Sequence, residues 1–187
     1  MKPSLPDILC TRCGLCCDGT LFADVELASG DEASTLEFMG LEIEDADEEE
    51  SGLLLQPCRA LNGMRCSVYP HRPDCCRTFE CQLLQEVKRG MVGVEWAKAK
   101  IAEALNRIER VKELIVQLGP SHERLPLKER CVEALELSED VDVDSAMSRK
   151  RAELRAAMIS VESLIRETFL GRTQQLNYQR RCPRGPK

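Results

Sequence analysis

Aromatic residues make up only 4% of this 187-residue chain, and histidine occurs just twice, as His71 and His122. A core with so few rings must be built from Leu, Ile, Val, Ala and Met, which suits helix packing better than a β-sandwich. Basic charge is also short: 26 Lys and Arg face 32 Asp and Glu, a formal net charge of −6. That balance argues against broad affinity for nucleic acid, which needs cationic surface to displace phosphate counterions. Nowhere do eighteen apolar residues run together, and Met1-Lys2-Pro3-Ser4-Leu5-Pro6-Asp7-Ile8-Leu9 has no apolar stretch long enough for a signal peptide. The expectation is a cytoplasmic chain with no membrane partner. A Gly-rich phosphate loop and a G-x-G-x-x-G are missing too, so nothing points to a nucleotide cofactor.

What the chain has in excess is cysteine. Nine of the eleven (Cys10, Cys13, Cys16, Cys17, Cys58, Cys66, Cys75, Cys76 and Cys81) precede residue 82. In a reducing compartment such density points to metal binding or catalysis rather than to a disulfide framework, and the odd total agrees. The first group, Cys10-Thr11-Arg12-Cys13-Gly14-Leu15-Cys16-Cys17, is a C-x2-C-x2-C-C. A C-x2-C step lets two sulfurs converge on one metal while intervening amides hydrogen-bond to them, and Gly14 suits the tight turn. Adjacent Cys16 and Cys17 more naturally serve two metals, or two corners of a cluster. The second group spans Cys58 to Cys81, and Asn62-Gly63 is a turn signal that would bring Cys58 and Cys66 together. Four thiolates per group would supply two closed sites or one larger cluster.

A divalent ion on four thiolates carries net −2, so burying it calls for donors and positive charge nearby. Arg12, Arg59, Arg65, Arg72 and Arg77 lie among the cysteines. By contrast, residues 31 to 50 hold ten carboxylates and no Lys or Arg. That stretch reads as a solvated acidic loop, with docking of a protein partner as its second reading.

The expected fold is mainly α. Residues 1–90 read as a loop-rich, metal-stapled module with one short strand in Leu21 to Leu27 and one short helix from Glu32 to Gly40, neither of which would form a core alone. Residues 91–187 read as an antiparallel helical hairpin or bundle with a basic tail, Arg180 to Lys187. Helical periodicity begins in Gln82 to Lys88 and is clear from Val94 to Leu118, where Ala97, Ile101, Ala104, Ile108, Val111, Ile115 and Leu118 form one apolar seam. A second helix is expected from near Pro126, burying Leu127, Cys131, Ala134 and Leu135. A third is expected from about Asp144 to Phe169, with Met147, Leu154, Met158, Val161 and Ile165 on one face and Gly171 as its stop. Trp96 and Cys131 are expected in the core, and Cys182 in an exposed tail.

The cysteine pattern resembles the CxxCxxCC, or YkgJ-like, cysteine-cluster family of zinc- or iron-chelating domains. The matching residues are Cys10, Cys13, Cys16 and Cys17 for the opening motif, then Cys58, Leu61, Cys66, Tyr69, Arg72, Pro73, Cys76, Arg77, Phe79 and Cys81 for the closing one. The resemblance covers about residues 8 to 84. It implies metal chelation, with Cys10, Cys13, Cys16, Cys17, Cys58, Cys66, Cys76 and Cys81 as the ligand set. Cys75 is an extra cysteine beside the family position, which leaves open which of the pair binds.

Spacing rules out several alternatives. A bacterial ferredoxin would need a cysteine where Thr20 stands, and the C-x3-C-x2-C of radical chemistry is absent. Two functional classes remain. In one, closed cysteine sites holding zinc or iron replace a core; in the other, an iron-sulfur cluster serves a redox or enzyme-accessory role. No catalytic residue is legible. His71 reads as a surface residue, His122 as a helix-entry residue and Tyr69 as an ordinary packed tyrosine. Any catalytic or partner site is expected beside the cysteines, where Arg72, Arg77 and Tyr69 could meet an anionic ligand.

Overall fold

The computed structural model describes residues 4–45, 52–137, 145–171 and 179–180. They fall into two compact units, one reaching to Cys81 together with 179–180, the other running from Gln82 to residue 171. Seven α-helices among the described residues make the protein mainly helical. None of those helices is long and apolar enough to cross a membrane.

The first unit opens with α1 (Leu5–Leu9), which sequence reasoning passed over. Ser4 caps it: its hydroxyl accepts the Asp7 N–H, and the Asp7 carboxylate accepts the Ser4 N–H. The Ser4 hydroxyl and amide together hold the Asp7 carboxyl below the usual range. A 3-10 turn, Cys10–Arg12, continues directly from the helix. Strand β1 (Asp24–Glu26) and helix α2 (Gly30–Phe38) stand where one strand and one helix were expected, each with shifted ends. Then come β2 (Ile43–Asp45), β3 (Gly52–Leu55), the hairpin β4 (Leu61–Asn62) and β5 (Arg65–Cys66), and α3 (Asp74–Thr78).

The sheet order is β2-β3-β1-β6, where β6 (Gln179–Arg180) lies parallel to β1 and β3 lies antiparallel to both its neighbours. Leu54 pairs with Ile43 on one side and Val25 on the other. This corrects two expectations. The acidic stretch is not simply a loop after the expected helix, since β2 also lies within it; its last five positions, 46–50, fall outside the described residues. The unit also builds a core of its own, from Val25, Leu27, Ala33, Leu36, Leu41, Leu54, Ala60 and Cys75. The physical reason is period-two patterning: Ile43 packs against the core while Glu44 points to solvent, so the carboxylates hide a short half-buried strand.

The second unit contains α4 (Gln82–Lys88), α5 (Val94–Leu118), α6 (Leu127–Leu137) and α7 (Ser145–Ile165), the last continuing into a π-helical turn, Arg166–Leu170. All seven residues of the expected α5 seam are buried, and Leu114 joins them. Arg107 on α5 donates to the carbonyl and hydroxyl of Ser160 at 3.1 and 3.0 Å, while Arg110, one turn later, pairs with Glu153. Residue numbers thus fall along α7 as they rise along α5. Leu127, Cys131 and Ala134 of α6 are buried as expected, whereas Leu135 is only half-buried. Burial, with the Glu162 carboxylate adding to it, pushes the Cys131 thiol up to about 11. Trp96 is corrected: it is 45% exposed, one position off the inward line of Ala97 and Ile101, with the Lys100 ammonium 5.7 Å from its ring centroid.

The unit closes where it begins. Gly171 has φ +76°, a left-handed conformation that disfavours any side chain, and its N–H donates to the Arg166 carbonyl at 2.9 Å. A Cβ placed on Gly171 would run into the side-chain carboxamide of Gln82. Expected stability effects follow burial. Leu154, fully buried on α7, should cost about 2–5 kcal/mol when changed to Ala. Ile159→Ala, at a 66% exposed position, should stay within about 0.5 kcal/mol. Urea titration of both variants, read at the helical circular dichroism band, compares them; equal midpoints would contradict the burial pattern.

Candidate metal centre

The opening cysteines are set by a helix end. Because α1 runs into the 3-10 turn, the Cys13 N–H donates to the Cys10 carbonyl at 3.1 Å and the chain turns sharply. Gly14, with φ +70°, makes the reversal, and its carbonyl accepts the N–H groups of Cys17 and Asp18 at 2.8 and 3.1 Å. A side chain would find room there, with Met64 at ordinary contact distance, so the demand for glycine is conformational rather than steric. The Leu15 N–H donates to the Cys13 sulfur.

The closing cysteines are set by the hairpin and by α3. Leu61 pairs with Cys66 and Asn62 with Arg65 across a turn in which Gly63 has φ +60°. The Leu61 N–H donates to the Cys58 carbonyl at 2.9 Å, so Cys58 and Cys66 are drawn together as the Asn62-Gly63 signal led us to expect. The sulfur of Cys58 accepts N–H groups from Ala60 and Leu61. Such amide donors are what an anionic sulfur requires when water is scarce.

Helix α3 separates the adjacent pair. Cys75 is 1% exposed in the core, where its thiol donates to the Glu26 carbonyl at 2.9 Å. Cys76 is only partly buried and packs against the edge of that core beside Cys58 and Cys66. The helix is anchored by an acid of the expected short helix to which sequence reasoning gave no role: the Glu32 carboxylate accepts the Asp74 N–H at 2.8 Å and the Ala28 N–H at 2.9 Å. The only sequence signal for it was Ser29 three residues earlier, whose hydroxyl accepts the Glu32 N–H. Beyond α3, the Phe79 ring meets Phe22 edge to face at 5.2 Å between centroids. That contact holds the end of the closing segment against the loop that follows the opening one.

Electrostatic neighbours cross the two sequence groups. Cys10 is exposed as a residue, yet partial burial of its sulfur, followed by the charge of Cys81, pushes its thiol up to about 11, against the lowering effect of Arg72. Burial raises Cys13 still further, with Cys81 and Cys10 adding to it and the Leu15 amide opposing. Burial likewise lifts Cys58 to about 11, with Cys66 and Cys76 contributing and the Ala60 and Leu61 amides opposing. Cys81 is therefore within electrostatic range of Cys10 and Cys13, as Cys66 and Cys76 are of Cys58. Cys16 and Cys17 lie half-buried in the turn between, and the Cys17 carbonyl accepts the Cys58 N–H at 2.8 Å. Among the described residues, no three metal-ligating side chains have closed around one point. All ten described cysteines are thiols.

The arginines do not act as one neutralising set. Arg59 pairs with Glu42 at 2.9 Å and Arg77 with Asp74 at 3.7 Å, each about half exposed. Arg72 stacks its guanidinium over the exposed Tyr69 ring, 3.6 Å from the centroid, and its charge is felt at Cys10. Tyr69 is thus a platform at the surface rather than a packed tyrosine. His71 is exposed in the short turn Tyr69–His71, and His122 sits before α6, where its amide and ring engage Glu133 and lower that carboxyl.

Thiols with amide donors and partial burial form an all-sulfur donor set, which suits zinc or iron and not the hard, oxygen-seeking cations. Comparison with known proteins gives no match among curated proteins or solved structures. A family model does match: CxxCxxCC, described as "Putative zinc- or iron-chelating domain", over residues 9–97. The match encloses both cysteine groups and runs past them through α4 into the first turn of α5. Residues 9–97 of this chain are thus similar to the CxxCxxCC domain.

Proposed function

We propose that this protein binds zinc or iron through Cys10, Cys13, Cys16, Cys17, Cys58, Cys66, Cys76 and Cys81, and that the bound metal holds the first unit in its folded shape. The observation that supports this is that thiols apart in sequence act on one another electrostatically, Cys81 on Cys10 and Cys13, and Cys66 and Cys76 on Cys58. Burial makes Cys10, Cys13 and Cys58 resist ionisation. A bound cation supplies the positive charge that lets them ionise, while Leu15, Ala60 and Leu61 provide amides already aimed at sulfur. The helical unit is a hairpin or bundle of its own and takes no part in chelation. A reducing, cytoplasmic setting fits a chain whose described cysteines are all thiols.

Anaerobic purification followed by elemental analysis and an optical spectrum tests the proposal. The expected result is zinc or iron bound per chain with no acid-labile sulfide. Sulfide together with broad visible absorption would replace this reading with an iron-sulfur protein. A folded chain that takes up neither metal would overturn chelation altogether.

A further inference from the structure

The arginines among the cysteines divide by their partners. Arg59 and Arg77 are held by Glu42 and Asp74. Among the described residues, Arg12, Arg65 and Arg72 make no ion pair. They stand around one turn: Arg12 is on the 3-10 turn Cys10–Arg12, Arg65 is on β5, which packs beside that turn, and the charge of Arg72 reaches Cys10. Arg12 and Arg65 are exposed, and Met64 beside Gly14 and Tyr69 under Arg72 leave apolar surface open there.

A surface of opposite character lies on α2. Asp31, Ser34 and Phe38 recur at helical spacing and line one side of it, with Glu37 next to Phe38. All four are exposed, and the Phe38 ring stands 94% in water. Neither Asp31 nor Glu37 has an ion-pair partner among the described residues. One exposed apolar side chain is ordinary. A ring flanked by unpaired carboxylates, on a chain that also carries unpaired arginines around a methionine and a tyrosine, is a complement.

We propose that this protein docks on a second copy of itself, with α2 of one copy set against the face of Arg12, Arg65 and Arg72 on the next. Phe38 then packs on Met64 and Tyr69 while Asp31 and Glu37 meet guanidinium groups. This goes beyond chelation, since it rests on charge and exposure alone. A short acidic helix suits the face better than nucleic acid does: Asp7 and Glu80 also act on Cys10, so carboxylates border the arginines and would repel a long polyanion. The net charge of −6 does not prevent the contact, because charges beyond about 10 Å are screened at about 0.1 M salt while the facing groups are not. The two surfaces differ, so the contact is head to tail, and each copy keeps one face free for another.

The test is sedimentation velocity on the full chain with its thiols kept reduced, over about a hundredfold range of concentration. The wild type should associate increasingly as it is concentrated. Arg12→Glu with Arg65→Glu in one variant, and Glu37→Gln with Phe38→Ser in another, should each weaken self-association by about tenfold or more. All four positions are exposed, so circular dichroism and thermal midpoint should match the wild type. Mixed together, the two variants keep one intact face each and should form a one-to-one complex that grows no further. A wild-type chain that stays monomeric would overturn the proposal; binding of hexaglutamate or of a single-stranded RNA to it would then give the arginine face to another acidic protein or to nucleic acid. Folded variants that associate like the wild type would overturn it equally, as would a mixture that yields no one-to-one complex.

Discussion

Stripping the metal from the purified protein with a strong chelator is expected to unfold the first unit while leaving most of the helical signal in place. The cluster around Val25, Leu36 and Leu54 is a real core but a small one, served by strands of two to four residues. Net stabilities of folded domains are about 5–15 kcal/mol. Thiolate-bound zinc contributes on the order of 10 kcal/mol of apparent folding free energy in comparable modules. Removing a term of that size leaves so small a core below the threshold for folding. The helices of 25, 11 and 21 residues in the second unit have no such dependence, because α5 brings its own fully buried seam. Circular dichroism should therefore fall only modestly, while limited proteolysis cuts between residues 13 and 81 and spares α5. If neither the spectrum nor the cleavage pattern changes once metal loss has been verified by elemental analysis, metal and folding are not coupled here.

The second large effect separates two neighbours. Cys76→Ser should lower bound metal by about one ion per chain, because a neutral hydroxyl is a poor substitute for a thiolate ligand. Cys75→Ser should leave the metal content unchanged. Its hydroxyl can still donate to the Glu26 carbonyl, but a smaller and more polar group would sit where the thiol is 1% exposed, at a cost of about 1–2 kcal/mol. Metal content and thermal midpoint, measured on both variants, give opposite patterns. Loss of metal from Cys75→Ser with none from Cys76→Ser would move the ligand to the buried position.

Much of this was legible in the residues, for identifiable reasons. The α5 seam stands out because a 25-residue helix repeats its apolar period many times, so no single exception obscures it. The Asn62-Gly63 turn is equally plain, since a positive φ in a tight hairpin narrows the choice of residue. Short strands carry too few periods to be seen. Ile43 among Glu42, Glu44 and Asp45 looks like charge, and its meaning depends on Leu54, eleven positions away. Glu32 was placed in a helix, but its anchoring role stayed hidden for the same reason: its partner, the Asp74 amide, is 42 residues distant. The cysteines themselves were found by spacing, but spacing suggests that each group closes on itself. The contacts that fix the backbone around them, Phe22 on Phe79 and the hairpin, carry no metal signal. Trp96 was misplaced because its neighbours Ala97 and Ile101 already fill the inward face.

The meeting of Gly171 with Gln82 has a bearing on how such a chain could change over time. A segment whose two ends come back to one place is bracketed like a parenthesis in a sentence. Turns can be added to α5 and α7 in matched pairs, or the loops between them rewritten, without altering the gap that the rest of the chain must span. The cysteine spacings upstream tolerate no comparable freedom, since one inserted residue between Cys10 and Cys17 displaces a sulfur. The two parts of this protein are therefore open to different kinds of variation: substitution at fixed length before Cys81, and growth or shrinkage by whole helical turns after it.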